Sequence, residues 1–196
     1  MDAIAIIPAR GGSTRIPGKN IRLFHGKPII IYSIEAAIRS GLFTYGVWVS
    51  TDSPEITKIA WDAGAKVHPR WAPLAANGVG TQEVMRTTLM DLFPGEATRP
   101  EYACCIYATA PFMTCADLRL GLGTLEARVR PYIYTVGPDG RDAGQWYWGQ
   151  TSAFINGVPL EGNSYHFPLP EERTYDINTL DDWIMAERLY EGRDGQ

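Results

Sequence analysis

The chain has 196 residues, 45% of them hydrophobic and 20% charged, with a formal net charge of −4. That length suits one domain with a sizeable core and leaves too little for two. The acidic balance argues against non-specific binding to nucleic acid or to a membrane surface, and no apolar run approaches the ~20 residues of a membrane span. The opening Met1-Asp2-Ala3 lacks the basic region of a secretion signal. Three cysteines without Cys-x-x-Cys spacing predict reduced, buried thiols in a cytoplasmic protein, and Cys104 and Cys105, as strand neighbours, would face opposite sides of a sheet.

In chain order, residues 3–7 (Ala-Ile-Ala-Ile-Ile) form a short apolar run that reads as a buried strand. It empties into residues 8–20, Pro-Ala-Arg-Gly-Gly-Ser-Thr-Arg-Ile-Pro-Gly-Lys-Asn, where Arg10, Arg15 and Lys19 stand among three glycines. A strand followed by a glycine-rich basic loop predicts a polyphosphate site. Small residues let backbone N–H groups approach the oxygens while the cations offset their charge. The loop is not a P-loop, because Gly12 to Gly18 leaves five residues and Asn20 stands where a magnesium-binding hydroxyl belongs. Nor does it contain the Gly-x-Gly-x-x-Gly of a dinucleotide fold.

Ile30, Ile34, Ala37 and Ile38 then predict a helix ending at Gly41, and Val47-Trp-Val-Ser50 a second strand. Ser53 reads as the N-cap of a helix with Pro54 at its first position and Ile56, Ile59 and Ala60 inward. Asp52, just before it, reads as a local capping acid. A short strand near residues 65–68 leads into an Ala/Gly/Pro/Asn-rich loop, followed by a helix marked by Met85, Leu89 and Leu92 and a strand over residues 102–107. Taken alone, Arg70 reads as an exposed cation and Thr81 as a helix N-cap.

Thr114 predicts the cap of a helix with Leu118, Leu122, Leu125 and Val129 on one face. Gly121 and Gly123 would weaken it by up to about 1 kcal/mol each relative to alanine. Residues 132–136 form a further strand, residues 137–142 a flexible turn, and Gln145-Trp-Tyr-Trp148 an aromatic stretch. Another extended piece lies near residues 165–169. A last helix is capped by Thr179, with Asp181 and Asp182 in the first turn, where the macrodipole favours acids. Strands alternating with helices predict a mostly parallel α/β sheet covered on both faces, with ligands at the carboxyl ends of its strands.

Ile7-Pro-Ala-Arg-Gly-Gly-Ser13 with Lys19-Asn20 downstream resembles the phosphate loop of the cytidylyltransferases that activate nonulosonic acids, the CMP-sialic acid synthetases and their relatives. Cys105-Ile-Tyr-Ala-Thr-Ala-Pro-Phe112, Asp142-Ala-Gly-Gln-Trp-Tyr-Trp-Gly149 and Asp176-Ile-Asn-Thr-Leu-Asp-Asp-Trp183 resemble the pseudaminic acid branch more than the sialic acid branch. The resemblance runs from residue 4 to about residue 190. It implies a three-layer αβα, Rossmann-like nucleotidyltransferase fold, with residues 1–196 as a single cytidylyltransferase domain. The implied reaction is magnesium-dependent transfer of CMP from CTP to an acidic nine-carbon sugar, most simply pseudaminic acid, with release of pyrophosphate. A homodimer is the assembly that the family admits.

By their places in the family motifs, Arg10 would hold the outer phosphates, Lys19 would stabilise charge at the α-phosphate, and Asn20 would help hold the nucleotide. Ala9, Gly11, Gly12, Ser13 and Arg15 would complete the cradle, and Arg70, Asn77 and Thr81 would contact the cytidine. Tyr107, Thr109, Asp142, Gln145 and Tyr147 fall in the stretches that hold the sugar. Read from the residues alone, the aromatics among them are equally core candidates. Asp176 and Asn178 would bind Mg2+, since residues two apart on an extended chain share a side.

Three positions depart from the family pattern. Asn178 replaces the second carboxylate of an Asp-x-Asp pair, Thr14 stands where lysine is usual, and Asn77 where aspartate is common. The change at Asn178 predicts weaker metal binding, and with it slower turnover or a higher magnesium requirement. A length difference adds to these, because the segment near residues 135–145 is shorter than in relatives, which bears on sugar choice and dimerisation. The sequence therefore leaves two further readings beside the leading one. One takes the acceptor as a sialic, legionaminic or 3-deoxy-octulosonic acid, and the other takes the chain as a nucleotide-binding protein that has lost turnover.

Overall fold

A computed structural model of the protein describes residues 2–76 and 78–192. Among these, no helix is long and apolar enough to cross a membrane. The first strand, β1 (Ala3–Pro8), is the hub of the molecule. It pairs in parallel with β4 (Val47–Thr51) on one side and β6 (Tyr102–Ile106) on the other, and β5 (Lys66–Pro69) extends the parallel set beyond β4. Buried on both faces, β1 is a continuous apolar run rather than an alternating one.

Past β6 the sheet changes direction. The long β8 (Asp142–Gln150) runs antiparallel to β6 and to β7 (Tyr132–Val136), and β9 (Ser164–Pro168) lies parallel to β7 at the far edge. The seven strands follow the order β5-β4-β1-β6-β8-β7-β9, with a register shift in the β7–β8 pair between Tyr134 and Val136. A separate small hairpin joins β2 (Leu23–Phe24) to β3 (Lys27–Pro28) through His25 and Gly26, both at positive φ.

Helices cover both faces. On one lie α1 (Ile29–Ser40), α2 (Pro54–Asp62) and α4 (Cys115–Glu126), whose Ile34, Ile56 and Leu118 pack with Ala5, Ile7, Cys104 and Trp146. On the other lie α3 (Thr81–Leu92) and the short α5 (Thr151–Ile155), whose Met85, Leu89 and Phe154 pack with Ile4, Ile6, Cys105 and Tyr147. The adjacent cysteines thus divide between the two faces as expected, both fully buried, and burial pushes the Cys105 thiol up to about 12. The architecture is the three-layer αβα arrangement predicted from the sequence.

Ser53 and Thr114 cap α2 and α4 as read, and Thr179 caps the last helix, α6 (Leu180–Glu191). Three local readings need correction. Gly80, not Thr81, stands at the N-cap of α3, and Thr81 is its first helical residue. Val129 lies beyond the end of α4 and is 92% exposed, so it takes no part in that helix's inner face. Gly121 is not merely a weak helix former, because a Cβ there would come within 2.4 Å of the Trp146 ring. The glycine leaves the space into which that indole packs.

A third apolar cluster lies outside the sheet. Ile16, Phe24, Ile29, Phe112, Ile177, Trp183 and Ala186 bring the end of the basic loop, the small hairpin and α6 together. Ile16 and Ile177 are fully buried in it and lie beside the functional candidates Lys19, Asp176 and Asn178 in sequence. This packing, together with the hydrogen bond from the Lys19 ammonium to the Ile177 carbonyl, holds two distant stretches of chain next to each other.

Candidate active site

The loops leaving the carboxyl ends of β1, β5 and β6 surround a cleft of about 200 Å3, closed at one side by the start of α3 and at another by the segment before α6. Arg10, Ser13, Thr14, Arg15, Lys19, Asn20, Arg70, Thr81, Tyr107, Thr109 and Asn178 line it. Ligands of open α/β sheets bind at this end. Among the described residues that line the cleft four are cations and none is a carboxylate. Burial lowers the Lys19 pKa from its ordinary value, Arg15 and Arg10 lower it further, and Asp176 and Asp182 oppose the shift. An anion entering the cleft would relieve this crowding.

The basic loop is braced from three directions. Asn20 donates through Nδ2 to the Arg10 carbonyl at 2.9 Å, and the Lys19 ammonium donates to the Ile177 carbonyl. The Gly11 N–H donates to Asp52 Oδ1 at 2.9 Å, and a Cβ on Gly11 would sit 3.0 Å from that of Ser53. Gly11 is therefore a point of close approach to the loop after β4, with its N–H engaged by protein. Gly12, by contrast, has open space beside its Cα. Ala9 is buried and donates its N–H to the Ser50 carbonyl at 2.9 Å, which continues the β1–β4 ladder into the loop.

Asp52 is not a helix cap. Ser53 caps α2, with its hydroxyl accepting from the Ile56 N–H, while Asp52 reaches back to the basic loop. That contact joins residues 41 apart in sequence, which is why local reading missed it. Arg70 also departs from its reading as an exposed cation. It is 8% exposed, donates through Nη2 to the Ser50 carbonyl at 2.6 Å, and has its pKa lowered by burial, with Asp52 opposing.

A second cavity, of about 460 Å3, adjoins the antiparallel half of the sheet. Pro138, Asp139, Arg141, Asp142, Glu171, Thr174 and Asp176 are among its lining residues. Burial raises the Asp142 pKa, the Gly144 N–H at 2.8 Å opposes that shift, and Asp176 reinforces it. Gly144, at φ +62, lets the backbone come so close to Asp176 that a Cβ would lie 3.0 Å from its carboxyl carbon. Arg141 is the one cation in this lining, and nothing in the motifs singled it out. The cavity's wall at residues 171–174 is fixed by an ion pair from Arg173 to the buried Asp117, at 2.6 Å.

Asp176 and Asn178 stand where the two cavities meet. Asp176 lines the second and Asn178 the first, and the Asn178 amide donates to Asp176 Oδ2 at 2.6 Å. Asp182 accepts from the N–H groups of Asn178 and Thr179 and closes the capping box of α6. Burial tends to raise its pKa, but these donors outweigh it and the net shift is downward.

Of the residues assigned to the sugar, Tyr107 and Thr109 line the first cleft and Asp142 the second cavity. Gln145 and Tyr147 line neither and are each 2% exposed. The Gln145 amide donates to the Arg173 carbonyl, while its Oε1 has no hydrogen-bond partner. The Tyr147 hydroxyl lies against Cys105 and Thr81 without a well-formed hydrogen bond. Asn77 lies outside the described residues.

With this geometry, comparison with known proteins is informative. The cytidylyltransferase family model matches residues 4–145. A pseudaminic acid cytidylyltransferase of Campylobacter jejuni subsp. jejuni is 30% identical over 226 residues, covering 97% of each chain. That alignment is longer than the present chain, so the relative carries residues that this one lacks. N-acylneuraminate cytidylyltransferase A of Danio rerio is 40% identical across 94% of this chain and 50% of its own. A solved structure of CMP:2-keto-3-deoxy-manno-octonic acid synthetase in complex with CTP shares the fold, with a TM-score of 0.75 at 17% identity over 98% of this chain and all of that one. The basic cleft over the parallel strands, the neighbouring acidic cavity and these matches agree: the chain belongs to the cytidylyltransferase family.

Proposed function

We propose that the protein transfers CMP from CTP to a nonulosonic acid, with pseudaminic acid as the acceptor, and releases pyrophosphate. The observation that carries this reading is the junction at Asp176 and Asn178, where a cationic cleft suited to a triphosphate opens beside a cavity large enough for an acidic sugar. In this reading the sugar's anomeric oxygen forms a bond to the α-phosphorus as the bond to the departing pyrophosphate breaks, and the hydroxyl proton is lost to solvent. The protein's part is positioning and charge neutralisation.

Arg10 and Arg15 hold the outer phosphates, and Lys19 meets the charge that builds at the α-phosphate. The Ile177 carbonyl keeps that ammonium aimed at the junction. Asn20 holds the loop in shape, Gly12 and Ser13 admit phosphate oxygens, and Arg70 and Thr81 face the nucleoside. Arg141 is the one cation available in the second cavity to meet the sugar carboxylate, while Asp142 faces its hydroxyls.

The donor set at the junction fits Mg2+: one exposed carboxylate and one amide, both oxygen donors suited to a hard cation. Among the described residues no three His, Cys, Asp or Glu side chains converge, so phosphate oxygens would have to complete the coordination. Asp176 and Asn178 would hold the ion, which would supply charge neutralisation on the phosphates. Restoring the second carboxylate with Asn178→Asp should lower the magnesium concentration for half-maximal turnover several-fold. An unchanged magnesium dependence removes Asn178 from this role.

The same reading takes residues 1–196 as one cytidylyltransferase domain with a shortened segment near residues 135–145, working in the cytoplasm as a monomer or homodimer. One assay tests the function: CTP, magnesium and a panel of nonulosonic acids, followed by pyrophosphate release. Turnover with pseudaminic acid supports the reading. Turnover only with sialic, legionaminic or 3-deoxy-octulosonic acid moves the acceptor, and CTP binding without pyrophosphate leaves a nucleotide-binding protein.

A further inference from the structure

Behind the cleft, the side chains of Arg70, Thr88 and His68 meet at a single hydroxyl. Ser50, fully buried at the end of β4, receives Arg70 Nε at 3.4 Å and Thr88 Oγ1 at 3.3 Å, and lies 3.4 Å from His68 Nδ1. The other ring nitrogen of His68 is 3.2 Å from Asp91 Oδ2 on α3. Thr88 is 1% exposed and His68 is 8% exposed, so water has little access to the chain's middle.

Chemistry fixes the direction of every hydrogen bond in this set. A carboxylate only accepts, so His68 Nε2 must carry the proton it shares with Asp91. Burial and the neighbouring Arg70 keep the imidazole neutral against the pull of Asp91, which leaves Nδ1 bare and accepting. The Ser50 hydroxyl must then donate to Nδ1. Its two lone pairs are thereby left for Arg70 Nε and Thr88 Oγ1, the two donors that approach it. Each atom in the series has one role, and the series ends on the guanidinium that lines the cleft. The Ser50 carbonyl takes Arg70 Nη2 as well, so two of the five N–H groups are spent behind the cleft and three remain.

We infer that Asp91, His68, Ser50 and Thr88 form a positioning chain that sets the orientation of Arg70 for the nucleotide. The inference rests on the reading of the basic cleft as the CTP site. None of the four lines that cleft, so their effect on catalysis passes through Arg70 alone. A protonated His68 would present a third donor to the Ser50 hydroxyl and displace one of the two that it already accepts. Asp91 and Arg70 are the charged groups acting on the ring, the first favouring that protonation and the second opposing it.

The test compares KM for CTP, KM for the sugar and CTP affinity by calorimetry across Arg70→Ala, Ser50→Ala, His68→Phe and His68→Gln in the full chain. Arg70→Ala should weaken CTP binding on the order of 10- to 100-fold. Ser50→Ala and His68→Phe should each raise KM for CTP about fivefold and leave KM for the sugar unchanged. Adding Ser50→Ala to Arg70→Ala should cost nothing further. Gln at 68 can accept from Ser50 and donate to Asp91, so His68→Gln should restore near-normal KM and fold where the Phe variant does not. The wild type is expected to show a rise in KM for CTP as pH falls and His68 gains its second proton, and His68→Gln should abolish that rise. If Arg70→Ala weakens CTP but the Ser50 and His68 variants do not, the positioning chain is refuted and the cleft reading stands. If Arg70→Ala leaves CTP affinity unchanged, both fall together.

Discussion

The cleft over the parallel strands sets Arg10, Arg15, Lys19 and Arg70 around a space without an acid in its lining. The cavity beside the antiparallel strands sets Asp139, Asp142, Glu171 and Asp176 around one arginine. The first is built on loops whose position follows from strand direction, and the second on a turn and a 3-10 segment tied down by the Arg173–Asp117 pair. A polyanion suits the first. The second suits a ligand rich in hydroxyls with a single carboxylate, because carboxylates accept from hydroxyls and the lone cation meets the lone anion. On the proposed function, two substrates of unlike chemistry would be sorted by the local charge of the space each enters.

The largest effect should follow removal of the cation at the junction. Lys19→Ala is expected to cut turnover on the order of 10²- to 10³-fold, the scale for losing one donor to charge that develops in a transition state. Thermal unfolding should move by only a few degrees. Pyrophosphate release measures the first and calorimetry the second, and unimpaired turnover would place the chemistry away from Lys19.

Gly121→Ala tests the packing under the antiparallel half. In an exposed helix this exchange would stabilise by up to about 1 kcal/mol. Here the added methyl meets Trp146 and Trp148, so a loss of about 1–3 kcal/mol is expected in denaturant unfolding. A gain would show that β8 packs more loosely than described.

Arg141→Ala should act on one substrate only. Arg141 is largely exposed and its contact with Asp139 is 3.5 Å long, so its contribution is modest. An increase of about three- to tenfold in KM for the acidic sugar, with KM for CTP unchanged, is expected from losing one charge-assisted contact near water. An equal change in both constants would erase the distinction between the two cavities.

The parallel half of the molecule was legible in the sequence because β1, β4 and β6 are largely apolar runs, each followed by a loop with its own signal. The basic loop is the clearest case: its cations, glycines and place after β1 point to a polyphosphate, and Arg10, Arg15 and Lys19 do line one cleft. The antiparallel half was harder. The direction of β8 depends on pairing with Tyr102 through Ile106, to which the aromatic stretch gives no local clue. Helix α5 has only five residues, too few to show a period. The roles of Asp52, Ser50 and His68 were hidden for a different reason. Each depends on a partner 18 or more residues away, and no composition or spacing near the residue records it.

Lys19 and Ile177 lie 158 residues apart, yet the apolar cluster joins their neighbourhoods and the ammonium rests on that carbonyl. During synthesis the basic loop leaves the ribosome long before Ile177, Trp183 and Ala186 do. The parallel strands can assemble well before that point. A nascent chain that has emerged only as far as the sheet therefore holds the basic loop without the carbonyl that Lys19 meets in the folded protein.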